Sequence, residues 1–194
     1  MKEWTMPKGI IILGSAGAGK TTLGKLVAKK LRIVFLDIDE YIWKNDTDMP
    51  YTVMYSKDEK IRKLSGAVEA AGEFVMAGSM NSFHEHFDPL FRLAVYLTAD
   101  EKIRVERVHR RELEEFGNRI LPDGDMFEAH QSFLKDVAGY DWGTGSCNSE
   151  RHEEWLSQLT CPILRLDGCG KLENNAKTII EIYQKMNDGK LADS

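Results

Sequence analysis

At 194 residues, with 42% hydrophobic and 29% charged side chains, the chain suits one globular domain with a real core. A net charge of −5 with no strongly basic half argues against a nucleic-acid partner, and no apolar run approaches the roughly 18 residues of a membrane span. Cys147, Cys161 and Cys169 form no C-x-x-C pair and read as reduced thiols of a cytoplasmic protein, while residues 1–8 lack the apolar segment of a signal peptide.

The first predicted element is a buried strand over residues 9–13, Gly-Ile-Ile-Ile-Leu. It runs into Gly14-Ser15-Ala16-Gly17-Ala18-Gly19-Lys20-Thr21, a match to G-x-x-x-x-G-K-[ST]. Leu23, Leu26, Val27 and Leu31 then recur at helical spacing. Strand, glycine loop and helix together define a P-loop, in which backbone amides and a helix N-terminus converge on phosphate oxygens. The expected nucleotide contacts are Gly14, Ser15, Ala16, Gly17, Ala18, Gly19, Lys20, Thr21 and Thr22, with Lys20 on the β- and γ-phosphates and the Thr21 hydroxyl on Mg²⁺.

A second buried strand is predicted over 33–36, ending in two carboxylates, Asp37 and Asp39. A loop follows over 44–56, then a helix over 57–71 and a third strand from Glu73. That strand ends Met76-Ala77-Gly78-Ser79, without the carboxylate that many P-loop proteins place there to hold Mg²⁺. Asp37 and Asp39 are therefore the candidates, Asp37 for the metal and Asp39 for an acceptor hydroxyl; the alternative is that one merely caps the next helix.

Residues 91–98 form a fourth predicted strand, and Thr98 with Glu101 has capping-box form, so a helix should run from there to Phe116 and stop at Gly117. On it Arg104, Arg107 and Arg111 stand at i, i+3 and i+7, within an arc of about 60° at about 100° per residue. Three like charges on one face call for an anion, or form a solvated face with Glu101, Glu112 and Glu115. Arg119 stands just beyond, where it can fold over a nucleotide. For the acceptor pocket the candidates are the loop 48–55, Arg62, Ser79 and Asn81; His84 and His86 lack a third spaced metal ligand, and Trp142 and Trp155 read as packing residues.

Two further helices over 126–137 and 149–159, a fifth strand over 162–166 with Cys161 and Cys169 as small core residues at its ends, and a last helix through Ala176, Ile179, Ile180 and Tyr183, with Gly189 past its end, complete the order. The expected fold is a three-layer, doubly wound parallel five-stranded α/β sheet. One P-loop domain is expected over 1–189, with a helical lid over about 104–160 and a flexible tail at 190–194.

The run G-S-A-G-A-G-K-T-T-L-G-K-L followed by Phe35-Leu36-Asp37-Ile38-Asp39 resembles the opening of shikimate kinase and gluconate kinase, in the nucleoside-monophosphate-kinase branch of P-loop proteins. The resemblance implies ATP and Mg²⁺ as cofactors, Asp37 near the metal, Asp39 on an acceptor hydroxyl, and Arg107 and Arg111 approaching the phosphates from a lid. Ala77-Gly78-Ser79-Met80 stands where shikimate kinases carry three successive glycines, Ile61-Arg62-Lys63-Leu64 is a poor copy of their F-R-x-x-E element, and the insertion 118–159 is longer than their lid. The expected activity is ATP-dependent phosphoryl transfer to a small hydroxylated or phosphorylated metabolite, catalysed by Lys20, Asp39, Arg107 and Arg111 in a monomer or homodimer. A nucleotide-dependent switch acting through a protein partner is the alternative.

Overall fold

The strands of the sheet run in the order β2-β3-β1-β4-β5, every neighbouring pair parallel. They are β1 (Lys8–Leu13), β2 (Val34–Asp37), β3 (Glu73–Ala77), β4 (Phe91–Thr98) and β5 (Ile163–Asp167). A computed structural model describes residues 6–80, 82–143, 145 and 147–188. Asn81, Gly189 and the tail 190–194 lie outside them.

The central strand is apolar on both faces because helices cover both faces. Ile10 and Ile12 join Val75, Leu93 and Val95 against helices α1 (Lys20–Leu31) and α7 (Leu172–Asn187), through Leu23, Val27, Ala176 and Ile179. Ile11 and Leu13 face the other way, with Phe74, Met76 and Ala94, against α3 (Lys57–Ala71) and α6 (Ser149–Gln158), through Leu64, Val68, Trp155 and Leu156. The period-two alternation along β1 thus divides one core into two. Between β2 and α3 lies a single helical turn, α2 (Asp39–Ile42). The segment read as a plain loop is pinched by a Trp43–Met54 bridge, with Lys44 N donating to Val53 O and Tyr55 N to Ile42 O.

Beyond β4 come α4 (Glu101–Phe116) and α5 (Phe127–Ala138), packed on each other, then a 3₁₀ turn at Gly139–Trp142 and α6. Asp100, not Thr98, caps α4: its carboxylate accepts from Lys102 N, the shorter reach that an N-cap aspartate offers. Trp155 is buried and donates to Asp88, as a packing residue should, whereas Trp142 is 77% exposed. Cys161 packs on the core but Cys169 is exposed, in the turn after β5.

Arg104 departs furthest from expectation. It is 1% exposed and serves no anion site: its guanidinium donates to the carbonyls of Ala99 and Val137 and pairs with Asp141 at 2.7 Å. It ties the start of α4 to the end of α5 and the turn beyond. Arg104→Ala should lower stability by about 3 kcal/mol, since it leaves buried carbonyls without donors and breaks a partly buried pair. A urea titration checks this, and Arg104→Lys should recover only part, because one ammonium cannot span three separated oxygens.

Candidate active site

The carboxyl ends of the parallel strands open into one cavity of about 1770 Å³. Gly14 and Gly17 shape its floor, with φ of +139° and +77°. A Cβ at Gly14 would strike the Leu97 carbonyl, and one at Gly17 would strike the Arg104 backbone, so both positions require glycine. Gly19, in the left-handed region, hands the loop to α1, whose first residues are Lys20 and Thr21. The Lys20 ammonium donates to the Ser15 carbonyl at 2.9 Å across the loop, and burial holds its pKa below the usual lysine value.

The second strand brings its carboxylates to the same place. Thr21 Oγ1 lies 3.3 Å from Asp37 Oδ2, while Asp37 Oδ1 accepts from the Asp39 backbone N–H at 3.3 Å. One carboxylate thus joins the P-loop threonine to the first residue of α2, but neither aspartate is its cap: the N-cap is Ile38, with no side-chain cap bond. Asp39 is reached by cavity water but is walled by protein. Desolvation raises its pKa above the usual carboxylate value and Asp37 adds to this, against the pull of Lys20 and Arg111.

The other predicted arginines separate. Arg107 Nη1 donates to Gly17 O and Gly168 O at 3.2 and 3.1 Å, clamping the P-loop to the turn after β5. Arg111 stands in the cavity wall, half exposed beside Glu112 at 3.5 Å, and its charge acts on both Lys20 and Asp39. Arg119 does not fold over the P-loop: it pairs with Asp125 at 2.7 Å and donates to Asp48 O, joining the turn after α4 to the pinched segment. Arg62 is exposed and outside the cavity lining; from the same helix Lys60 and Lys63 line it, with Lys60 Nζ 3.4 Å from the Met54 sulfur. His84 is taken up by Asp88 and His86 by Ser65.

Ser79, an expected acceptor-pocket candidate, lines the cavity; sequence reading missed what stands beside and behind it. Cys147 lines the cavity too, and His152, fully buried, has Nε2 3.0 Å from Ser79 Oγ and 3.5 Å from Cys147 Sγ. Burial, reinforced by the charge of Lys20, pushes the His152 pKa down to about 4, so the ring is neutral at pH 7. Only the apolar face of α6, which includes Trp155 and Leu156, hinted that His152 would point inward.

A P-loop backed by two carboxylates from the end of the second strand, one strand removed from β1 in the sheet, defines a nucleotide-binding, phosphoryl-transfer class of protein. The sequence profile described as "AAA domain" matches residues 10–129, and the chain belongs to that family of P-loop proteins. The chain is 30% identical to the uncharacterized protein YqaC of Bacillus subtilis (strain 168) over 84% of its own length and 89% of that protein's. It is 31% identical to a shikimate kinase of Marinomonas sp. (strain MWYL1), over 66% of this chain and 79% of that one. In three dimensions it resembles a shikimate kinase from Bacteroides thetaiotaomicron, with a TM-score of 0.58 at 18% identity over 91% of this chain and 98% of the other, a likeness of fold. With kinases among these relatives, the chain is an enzyme of the phosphotransferase class. Among the described residues, no helix is long and apolar enough to cross a membrane.

The neutral His152 has a consequence for stability. Its folded pKa lies below its unfolded value, so the unfolded chain takes up a proton first as pH falls. Stability should be lost between about pH 6.5 and about pH 4, with a slope of up to about 1.4 kcal/mol per pH unit from this group. Denaturant midpoints across that window check this, and His152→Gln should flatten the slope.

Proposed function

We propose that this protein transfers the γ-phosphoryl group of ATP to a hydroxyl or phosphate oxygen of a small metabolite in the cytoplasm. The observation that carries this is the convergence of Lys20, Thr21, Asp37 and Asp39 at one end of the sheet. Phosphoryl transfer asks for positioning and for positive charge around the migrating group, and little covalent help. The amides of Gly14 to Thr22 would cradle the nucleotide phosphates, and the Lys20 ammonium would serve the β- and γ-phosphates. Asp39, with its raised pKa, accepts the proton of the acceptor hydroxyl as the new P–O bond forms. Arg111 meets developing charge from the cavity wall, and Arg107 keeps the loop in shape and approaches the phosphates from beside it.

The residues present fit Mg²⁺. A threonine hydroxyl 3.3 Å from a carboxylate oxygen is the hard-oxygen pair this ion takes alongside nucleotide phosphates. Thr21 and Asp37 would hold it, and it would supply charge neutralisation of the triphosphate. The chain's relatives named shikimate kinase support a small hydroxylated acceptor.

Lys20→Ala should abolish turnover while leaving the fold intact. Asp39→Asn should lower kcat by about 10²-fold or more with little change in nucleotide affinity, in keeping with the loss of a general base. In the wild type, the acid limb of kcat/KM should fall above the ordinary carboxylate range of about pH 4 and disappear in Asp39→Asn. An unchanged kcat in Asp39→Asn removes that residue from the mechanism.

The direct experiment is coupled ADP release at saturating Mg-ATP, first without acceptor, then with shikimate, gluconate, nucleosides, nucleoside monophosphates and small sugars. Stimulation by one class well above the acceptor-free rate is expected. Slow hydrolysis that no compound stimulates would overturn the kinase reading in favour of a nucleotide-dependent switch.

A further inference from the structure

Lys60 is a lysine on the core-facing stripe of a helix. It lies in the first turn of α3, with Leu64 and Val68 at i+4 and i+8, and those two are buried. Lys60 itself is 8% exposed, and it lines the cavity. Its ammonium rests on the Met54 sulfur at 3.4 Å, and a thioether is a weak acceptor. Burial alone holds its pKa below the usual lysine value; among the described residues, no carboxylate acts to raise it back.

Two more lysines line the cavity beside it. Lys63, one turn along α3, has its ammonium 4.1 Å from the centre of the Tyr55 ring, and Lys44 reaches the same ring at 5.7 Å. Among the described residues, none of these ammoniums makes an ion pair with a carboxylate. Glu59, on which the Lys44 charge acts, accepts instead from the Ser56 N–H and hydroxyl. The fold fixes all three positions. Lys44 N donates to Val53 O and Tyr55 N to Ile42 O, which sets Lys44 alongside Met54 and Tyr55. Ser56 and Glu59 then close a capping box that starts α3, and Lys60 and Lys63 follow at i and i+3.

A cation taken out of water costs free energy unless an anion meets it. Here a sulfur and a π-face hold the ammoniums in place without neutralising them. The wall also stands apart from the catalytic carboxylate, since the charges acting on Asp39 are those of Lys20, Asp37 and Arg111. A planar carboxylate suits the fork of a guanidinium, whereas separate ammonium point charges suit a tetrahedral dianion.

We propose that Lys60, with Lys63 and Lys44 beside it, forms an anion subsite of the cavity that holds a phosphate group of the acceptor. The inference rests on the kinase reading and narrows it. The acceptor is a phosphorylated hydroxy compound, with its phosphate on α3 and the pinched segment and a free hydroxyl at Asp39.

The coupled assay on the full chain tests this with ribose 5-phosphate and glucose 6-phosphate beside ribose, glucose, shikimate and gluconate. A sugar phosphate should stimulate ADP release with a KM at least about tenfold below that of its parent sugar. Stimulation by a parent sugar or a carboxylate as strong as by the phosphates overturns the proposal. Lys60→Met keeps the apolar stem and removes the charge; it should raise the KM of the active phosphate about tenfold and leave the ATP KM unchanged. Lys63→Met and Lys44→Met should each raise it roughly threefold, because water screens these more open positions. Stability separates this role from a structural one. An ammonium without a counterion costs the fold, so Lys60→Met should leave the urea midpoint unchanged or raise it. A lowered midpoint with an unchanged acceptor KM overturns the proposal. An active sugar or carboxylate that Lys60→Met does not affect defeats this inference alone. A flat panel defeats the kinase reading and, with it, the role of Lys60 at the acceptor.

Discussion

A phosphate-binding loop is only as good as the backbone contacts that hold its amides in place, and here those contacts are made by carbonyls pressed against positions without a Cβ. Gly14 lies on the Leu97 carbonyl at the end of β4, and Gly17 lies on the backbone of Arg104 at the start of α4. From the far side Gly168, in the turn after β5, abuts the Ala18 carbonyl and donates its own N–H to Thr98 O. The loop is wedged between three elements that follow it in sequence by about 80 residues or more. Arg107 closes the wedge by donating from one nitrogen to the carbonyls of Gly17 and Gly168. This explains why Arg104 is interior: the end of α4 that touches the loop must be fixed, and the buried guanidinium fixes it to α5 and to Asp141.

Much of this was legible in the sequence, for a physical reason. β1 and β4 and the helix α4 carry their own signals, in continuous apolar runs and in Gly117 as a stop, and they fall where expected. The P-loop is legible because its function demands glycine at fixed spacing. Local chemistry with two acceptable acceptors was less so: Asp100 displaced Thr98 as the cap of α4. Least legible was anything decided by a partner far along the chain. The helical face shared by Arg104, Arg107 and Arg111 is real, but position along it separates a buried structural cation, a loop clamp and a cavity residue, and the distinguishing partners are Asp141, Gly168 and Glu112. Likewise Trp142 and Trp155 are alike in sequence, yet only Trp155 has Asp88 to receive its indole N–H in the interior.

Electrostatically the cavity disfavours charge on its own side chains. Burial raises Asp39 and Cys147 and lowers Lys20 and His152, shifts of opposite sign with the same cause. Lys20 and Asp39 each relieve the other's cost, as the opposite charge does within a low-dielectric site. Such a site gains most from a ligand that brings charge to both ends, and under the proposed function a metal-bound triphosphate would do so, with anionic oxygens for Lys20 and Arg111 and a cation for Asp37.

The two halves of the cavity are encoded differently, and this limits what the family can say about the substrate. The phosphate half comes from one stretch, the loop from Gly14 to Thr22 with Asp37 and Asp39 shortly after, and it lies within the residues 10–129 that the family profile matches. The opposite half of the cavity wall is assembled from the pinched segment after α2, from Lys60, from Ser79 and from the turn and helix that supply Cys147 and His152. Here a serine after β3 is backed by a buried histidine, and α3 offers the Lys60 ammonium beside the Met54 thioether while its Arg62 lies outside the cavity lining. An ammonium is a point charge with rotatable donors, and a guanidinium is a planar fork. Walls built from different groups select different molecules, so under the proposed function the shared loop would set the donor nucleotide and these segments the acceptor.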